Sequence, residues 1–408
     1  MGSIGVLGGR WRASVSESGS ILSSDSVDGT RLDWFVAADD RWHIPSSEAA
    51  VRQRRIHGAP VFETRLRVPT GDAVHRVWCV ADGGGYTVVE IENDSTLPFA
   101  VAFNSSELLS ARPPSDVPIE GISLPAGSVV FPVGHHSTIR VAVAHSTRAR
   151  GVSTAQLLDG LASAEQVARG WTSVLDRAGR MELPDESVVA DVARLRAEVA
   201  LNGPVDESAD PTGFLIDVGQ LVRQGERAEP WVPELVNAVS AVARLHHSWD
   251  AAAALDAAAL ILATAGEARA VRDVARMRRP EETSLPQDAS AIDGESRLRA
   301  WHELRLARCV GAGVAELMAG GIPSSWHGVN FEVHDLSIGP SSTVSYAVRW
   351  HGERPAVLWQ IDGAPIRLTA SAIAPGWTST LLKGEALWPA PVSAMAAPVP
   401  NLDDISFS

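Results

Sequence analysis

The spacing of apolar residues changes twice along the chain. Up to about residue 150, apolar and polar residues alternate in short runs, which is the period of half-buried strands. In VFETRLRV, Phe62, Thr64, Leu66 and Val68 alternate with Glu63, Arg65 and Arg67. AVHRVWCV and YTVVEIE follow, joined by Asp82-Gly83-Gly84-Gly85, and Asn93-Asp94-Ser95 reads as a turn before FAVAF. SVVFPV and TIRVAVAH close the region. Many short strands with Gly and Pro turns predict an antiparallel β-sandwich over residues 1–152.

Residues 153–323 take helical spacing. Val188, Val192, Leu195 and Val199 mark one stripe, with Asp185 placed to cap it. Asp210-Pro211 is a second start, with proline at the first helical position. An Ala-rich helix is expected from Asp250, as cap, to a stop at Gly266, followed by ARAVRDVARMRR as its antiparallel partner. A last helix from Glu295 to Met318 would contain Trp301 and Cys309. The pattern gives about seven helices with short connections, hence helical hairpins.

From Trp326 strand periods return in VNFEVHDL, TVSYAVRW, AVLWQI and PIRLTAS, a C-terminal β region over residues 324–389. Residues 390–408, rich in Pro, Ala and Ser, read as a flexible tail. The stretch VRWHGERPAVLWQ poses a choice between an aromatic platform and a core hairpin. Alternation puts Tyr346, Val348 and Trp350 on one face and Val357, Trp359 and Ile361 on the facing strand. That company favours the core, with Trp350 and Trp359 as cross-strand neighbours across a five-residue loop and His351, Glu353 and Arg354 in the bend.

Composition changes this picture little. The 408 residues are 45% apolar and 21% charged, normal for a folded chain of more than one domain. A net charge of −14 argues against nucleic acid and against an anionic membrane surface as partners. Lys383 is the only lysine, which reads as GC-rich coding. No apolar run fits a signal peptide or the roughly 20 residues of a membrane helix, so a cytoplasmic protein with reduced, buried Cys79 and Cys309 is expected.

The order of sandwich, helical hairpins and C-terminal strands resembles the six-hairpin glycosidases, the bacterial glucoamylase-like and disaccharide-phosphorylase-like enzymes. IENDSTLPFAVAF and VRWHGERPAVLWQIDG are the most suggestive stretches. The resemblance implies an (α/α) toroid with sugar bound at its mouth. The helices counted here would make only part of one, and the sequence leaves open whether another chain completes it. No catalytic glutamate aligns, and the residues themselves point to no cofactor and no metal.

Glycoside hydrolysis needs two carboxyls, one of them protonated. Asp256 is the only charge in the middle of an apolar helix, where burial would raise its pKa. Its alternative is a structural ion pair with an arginine such as Arg244 or Arg272. Asp217, at the edge of the Phe214, Val218, Leu221 stripe, and Glu303, beside His302, are further candidates; the plainer reading of each is a solvated helix position. His246-His247-Ser248-Trp249-Asp250, with Trp301, could contact a sugar, or could simply end one helix and start the next. His135, His136 and His145 lack carboxylate or thiol company for a metal. Asp82-Gly83-Gly84-Gly85 joins strands and is no phosphate loop. Thirteen tryptophans suit sugar stacking as well as a core. Two functions follow: a carbohydrate-active protein binding or hydrolysing an α-glucan or oligosaccharide, or a non-catalytic protein of that architecture serving as a scaffold for another protein.

Overall fold

The computed structural model describes residues 1–23, 31–116, 120–145, 154–245, 248–278, 284–311 and 313–391. The chain is a mixed β and α multidomain protein, β-rich at its N-terminus, helical in the middle and β again at its C-terminus. It divides into two compact units, residues 1–177 with 190–206 and 220–226, and residues 178–189 with 207–219 and 227–408. The helices are α1 (Thr154–Gly160), α2 (Ala164–Leu175), α3 (Glu186–Asn202), α4 (Pro211–Arg223), α5 (Val232–Val242), α6 (Trp249–Thr264), α7 (Ala268–Met277) and α8 (Glu295–Leu304). No helix among the described residues is long and apolar enough to cross a membrane.

The first unit contains three antiparallel sheets. The six-stranded sheet runs, in spatial order, Leu109–Ser110, Thr138–Ala144, Tyr86–Ser95, Gly71–Val80, Phe62–Val68, Arg52–Arg55. One four-stranded sheet is built on Phe99–Phe103 and Trp34–Ala37, the other on Gly2–Gly5 and Arg12–Val15. Inward residues of all three meet in one core, among them Ile4 and Val15, Val36 and Phe131, Leu66 and Ile91. Packed inner faces of this kind make a sandwich.

The expected alternation of Phe62–Val68 has one departure. Glu63, on the polar side, is only 2% exposed. The register sets it between Arg54 and Arg76, and their guanidinium groups donate to it at 2.9 Å each, with Arg65 at 3.1 Å. Burial alone would raise its pKa; the three arginines hold it at about 2. The turn expected at Asn93-Asp94-Ser95 comes later. These residues finish the strand, and the buried Asn93 amide donates to the carbonyls of Leu97 and Val133.

In the second unit, Arg180–Glu182, Phe331–Gly339, Ser342–His351, Arg354–Gly363 and Lys383–Leu387 form an antiparallel five-stranded sheet in that order. A four-stranded sheet joins Ala307–Gly311, Val314–Leu317, Arg367–Thr369 and Thr378–Ser379. The long last helix therefore needs correction. It stops at Leu304, and Cys309 lies in a strand, half-buried and free, as the buried Cys79 is free. Strands return at Ala307, ahead of Trp326.

Helix α6 packs on α5, α7 and α8 through Ala254, Ala258, Ile261 and other buried positions. Its cap is Ser248, whose hydroxyl accepts the Ala251 N–H; Asp250 sits inside the first turn. The hairpin is also tighter than expected. His351 pairs with Arg354 around Gly352 and Glu353, Trp350 faces Pro355, and Trp359 faces Tyr346. Trp359 is buried as the core reading requires, and Trp350 is half-buried. Of the tail, residues 392–408 lie outside the described residues.

Candidate functional site

The three carboxyls singled out in the sequence occupy three different settings. Asp256, on α6, is held through both oxygens by Arg278, at 2.7 Å from Nε and 3.0 Å from a terminal nitrogen. The partner is neither Arg244 nor Arg272. Arg278 also donates to the carbonyl of Cys309 at 2.6 Å, which ties the helix to the strand Ala307–Gly311. Asp256 is half-buried, with 28% of its side chain exposed, and its loss of hydration pushes the carboxyl up to about 6, although Arg278 draws it down. Removing that cation by Arg278→Met should therefore raise the Asp256 pKa further. A carboxyl-detected NMR titration reads this directly; an unchanged midpoint would mean the pair exerts no field on Asp256.

Asp217, on α4, is 3% exposed and pairs with Arg299 of α8, itself 2% exposed, at 2.7 Å. It is a buried ion pair and not a solvated boundary position. Glu303 is likewise inside, 6% exposed, where an exposed helix face was the alternative. Each side chain belongs to the packing of its unit.

The polar–aromatic stretch divides. His246 and His247 lie outside the described residues. Trp249 is half-buried at the first turn of α6. Asp250 accepts from Arg297 at 2.8 Å, and Arg297 also grips Asp210 with two bonds, at 2.6 and 2.8 Å. One guanidinium of α8 thus joins the starts of α4 and α6. Trp301 is 3% exposed; its indole N–H donates to Pro286 and its ring lies under the Arg305 guanidinium at 4.6 Å.

Among the described residues, Glu182, Glu332 and His334 have ligand atoms within 4.8 Å of one another. Arg180 lies 3.1 Å from both Glu182 and His334, and Arg349 meets Glu332. These cations already balance the carboxylates.

A recess lies in the first unit. A cavity of about 570 Å³ is lined by Trp11, Arg31, Thr87, Ser105, Ser106 and Glu107, with Asn104 at its wall. The Asp82-Gly83-Gly84-Gly85 turn does not line it but positions His145, which stacks on the lining residue Trp11. Gly85 has φ +97°, and a Cβ there would lie 2.5 Å from His145 Nδ1. Only glycine lets the imidazole lie so close to this backbone. His145 is then fixed by Thr87, 2.8 Å from its Nε2, and stacks on Trp11 with centroids 3.8 Å apart and planes 8° from parallel. One indole face is covered by His145, and the half-buried ring both packs against the sandwich core and lines the cavity.

Asn104 is a frame residue: its side-chain oxygen accepts the Asp33 N–H and its amide donates to the Arg31 carbonyl. That frame leads into Ser105, Ser106 and Glu107, the last two exposed on the rim. Cys79, below Thr87, is no nucleophile at neutral pH, since burial pushes its thiol up to about 12.

No model of a known protein family matches the chain, and no curated protein matches it. The site therefore stands on its geometry. Sequence reasoning passed over Trp11, Arg31 and the Ser105-Ser106-Glu107 rim. The available signal was the polar run NSSE directly after the apolar strand FAVAF, where a loop must carry exposed hydroxyls.

Proposed function

We propose that this chain is a carbohydrate-binding protein of six-hairpin glycosidase-like architecture, which holds an α-glucan or oligosaccharide without hydrolysing it. The observation that carries the reading is the Trp11 cavity. Its volume falls in the range of small-molecule sites, which combine apolar walls with a few placed polar groups. A sugar offers a C–H-rich face to an indole and hydroxyls to Arg31, Ser105, Ser106 and Glu107. The order of sandwich, helices and strands supports the family resemblance.

The carboxylates argue for binding over cleavage. Hydrolysis needs one carboxyl able to give a proton and a second free to attack or to activate water. Asp256 has both oxygens on Arg278, and Asp217 is sealed against Arg299. Free thiols at Cys79 and Cys309 favour a reducing compartment, the cytoplasm.

Titrating the full chain with maltooligosaccharides and other oligosaccharides, by calorimetry with a parallel assay of released reducing ends, tests this. Heat of binding without release is the expected result. Release would overturn the non-catalytic part, and the absence of heat across the panel would overturn the carbohydrate part.

A further inference from the structure

The only lysine in the chain stands on a sheet edge. Lys383–Leu387 is the outermost strand of the five-stranded sheet and pairs with Arg354–Gly363 on one side. The Ile361 N–H donates to Leu382 and the Trp388 N–H donates to Pro355, at 2.7 and 2.9 Å. In an antiparallel ladder, residues bonding to one neighbour alternate with residues facing the other way. Leu382, Gly384, Ala386 and Trp388 thus turn their backbone groups into the sheet. Lys383 and Glu385 turn theirs toward the side that no described strand covers, and both side chains are exposed; at Leu387 the carbonyl accepts from the Arg354 guanidinium at 3.4 Å. Around them Leu381, Leu382, Leu387 and Leu358 are 62%, 46%, 48% and 43% exposed. Such an edge is a template for another strand.

We propose that this edge pairs antiparallel with the same edge of a second copy of the chain, about a two-fold axis at Gly384. The alternation restricts the register, because each outward residue must meet another outward residue. An axis at Glu385 would set Glu385 against itself. An axis at Ala386 would leave Lys383 without an opposite charge. An axis at Gly384 sets Lys383 opposite Glu385 twice. Opposite charges at directly facing positions stabilise a pair of strands, and like charges destabilise it. The segment Lys383-Gly384-Glu385 is thus self-complementary in one register, as an isologous contact requires. Glycine suits the axis for a second reason. Its inner side is filled by Trp359, whose ring lies 2.5 Å from where a Cβ would be.

An edge of this length is small against the roughly 1,200–2,000 Å² of a stable interface, so the dimer should build up as concentration rises. Sedimentation velocity on the full chain, at increasing concentration and low salt, measures it. Lys383→Glu and Glu385→Lys should each raise the dissociation constant about tenfold, since the symmetry places each change in two pairs. The double exchange Lys383→Glu with Glu385→Lys restores both pairs in the same register and should recover the dimer. A monomer up to the solubility limit overturns the proposal. So does a dimer indifferent to both single exchanges, or one that the double exchange fails to restore.

Discussion

Replacing Asp217 by alanine should lower the unfolding free energy by roughly 3–5 kcal/mol, because a buried arginine is left without its counter-charge. Asp217 and Arg299 are 3% and 2% exposed and meet at 2.7 Å. Arg299 keeps a contact with the Ile216 carbonyl at 3.4 Å, which cannot neutralise a cation in an apolar interior. Urea unfolding followed by circular dichroism measures the loss. The pair Asp217→Leu with Arg299→Met should recover much of it, since apolar groups of similar volume often replace a buried ion pair at little cost. If Asp217→Ala melts like the parent, the pair does not hold α4 and α8 together. The chemistry candidate would then need another explanation for its burial.

The second large effect is expected at Trp359. Trp359→Ala should cost about 3–5 kcal/mol, the range for truncating a large buried aromatic. The ring is 5% exposed, donates from its indole nitrogen to the Leu381 carbonyl at 3.1 Å, and meets Trp377 edge-on at 5.3 Å. Trp377 in turn meets Trp388 at 5.5 Å, so the truncation opens one end of an aromatic chain that closes the five-stranded sheet. Thermal unfolding checks this. A variant with unchanged stability but altered ligand binding would return Trp359 to the role of an exposed platform.

These residues also mark how far the sequence could be read. Alternation identified the strand Phe62–Val68 and the buried face carrying Tyr346, Val348 and Trp359, because a period of two assigns faces directly. It could not show that Glu63 would lie under Arg54 and Arg76, since that depends on cross-strand register. Apolar spacing through RLARCVGAGVAEL was read as more helix. The Gly311 and Gly313 pair, with β-branched Val310 and Val314 either side, was the hairpin signal that the spacing masked. Asp256 was legible as a charge in an apolar helix, though the structure leaves it half-buried. Its partner was not, because Arg278 comes from beyond α7 and reaches back across the helical hairpin. Trp11 was invisible for a plainer reason. A single aromatic in a Gly- and Arg-rich stretch has no period, and its meaning comes only from His145, more than a hundred residues away.

The most direct test is the affinity of Trp11→Ala for the oligosaccharide that the parent binds, measured by calorimetry beside thermal unfolding. Binding at the Trp11 cavity predicts an affinity at least about tenfold weaker, with Trp11→Phe intermediate and both variants still folded. An alanine variant that folds and binds the sugar as tightly as the parent would contradict it.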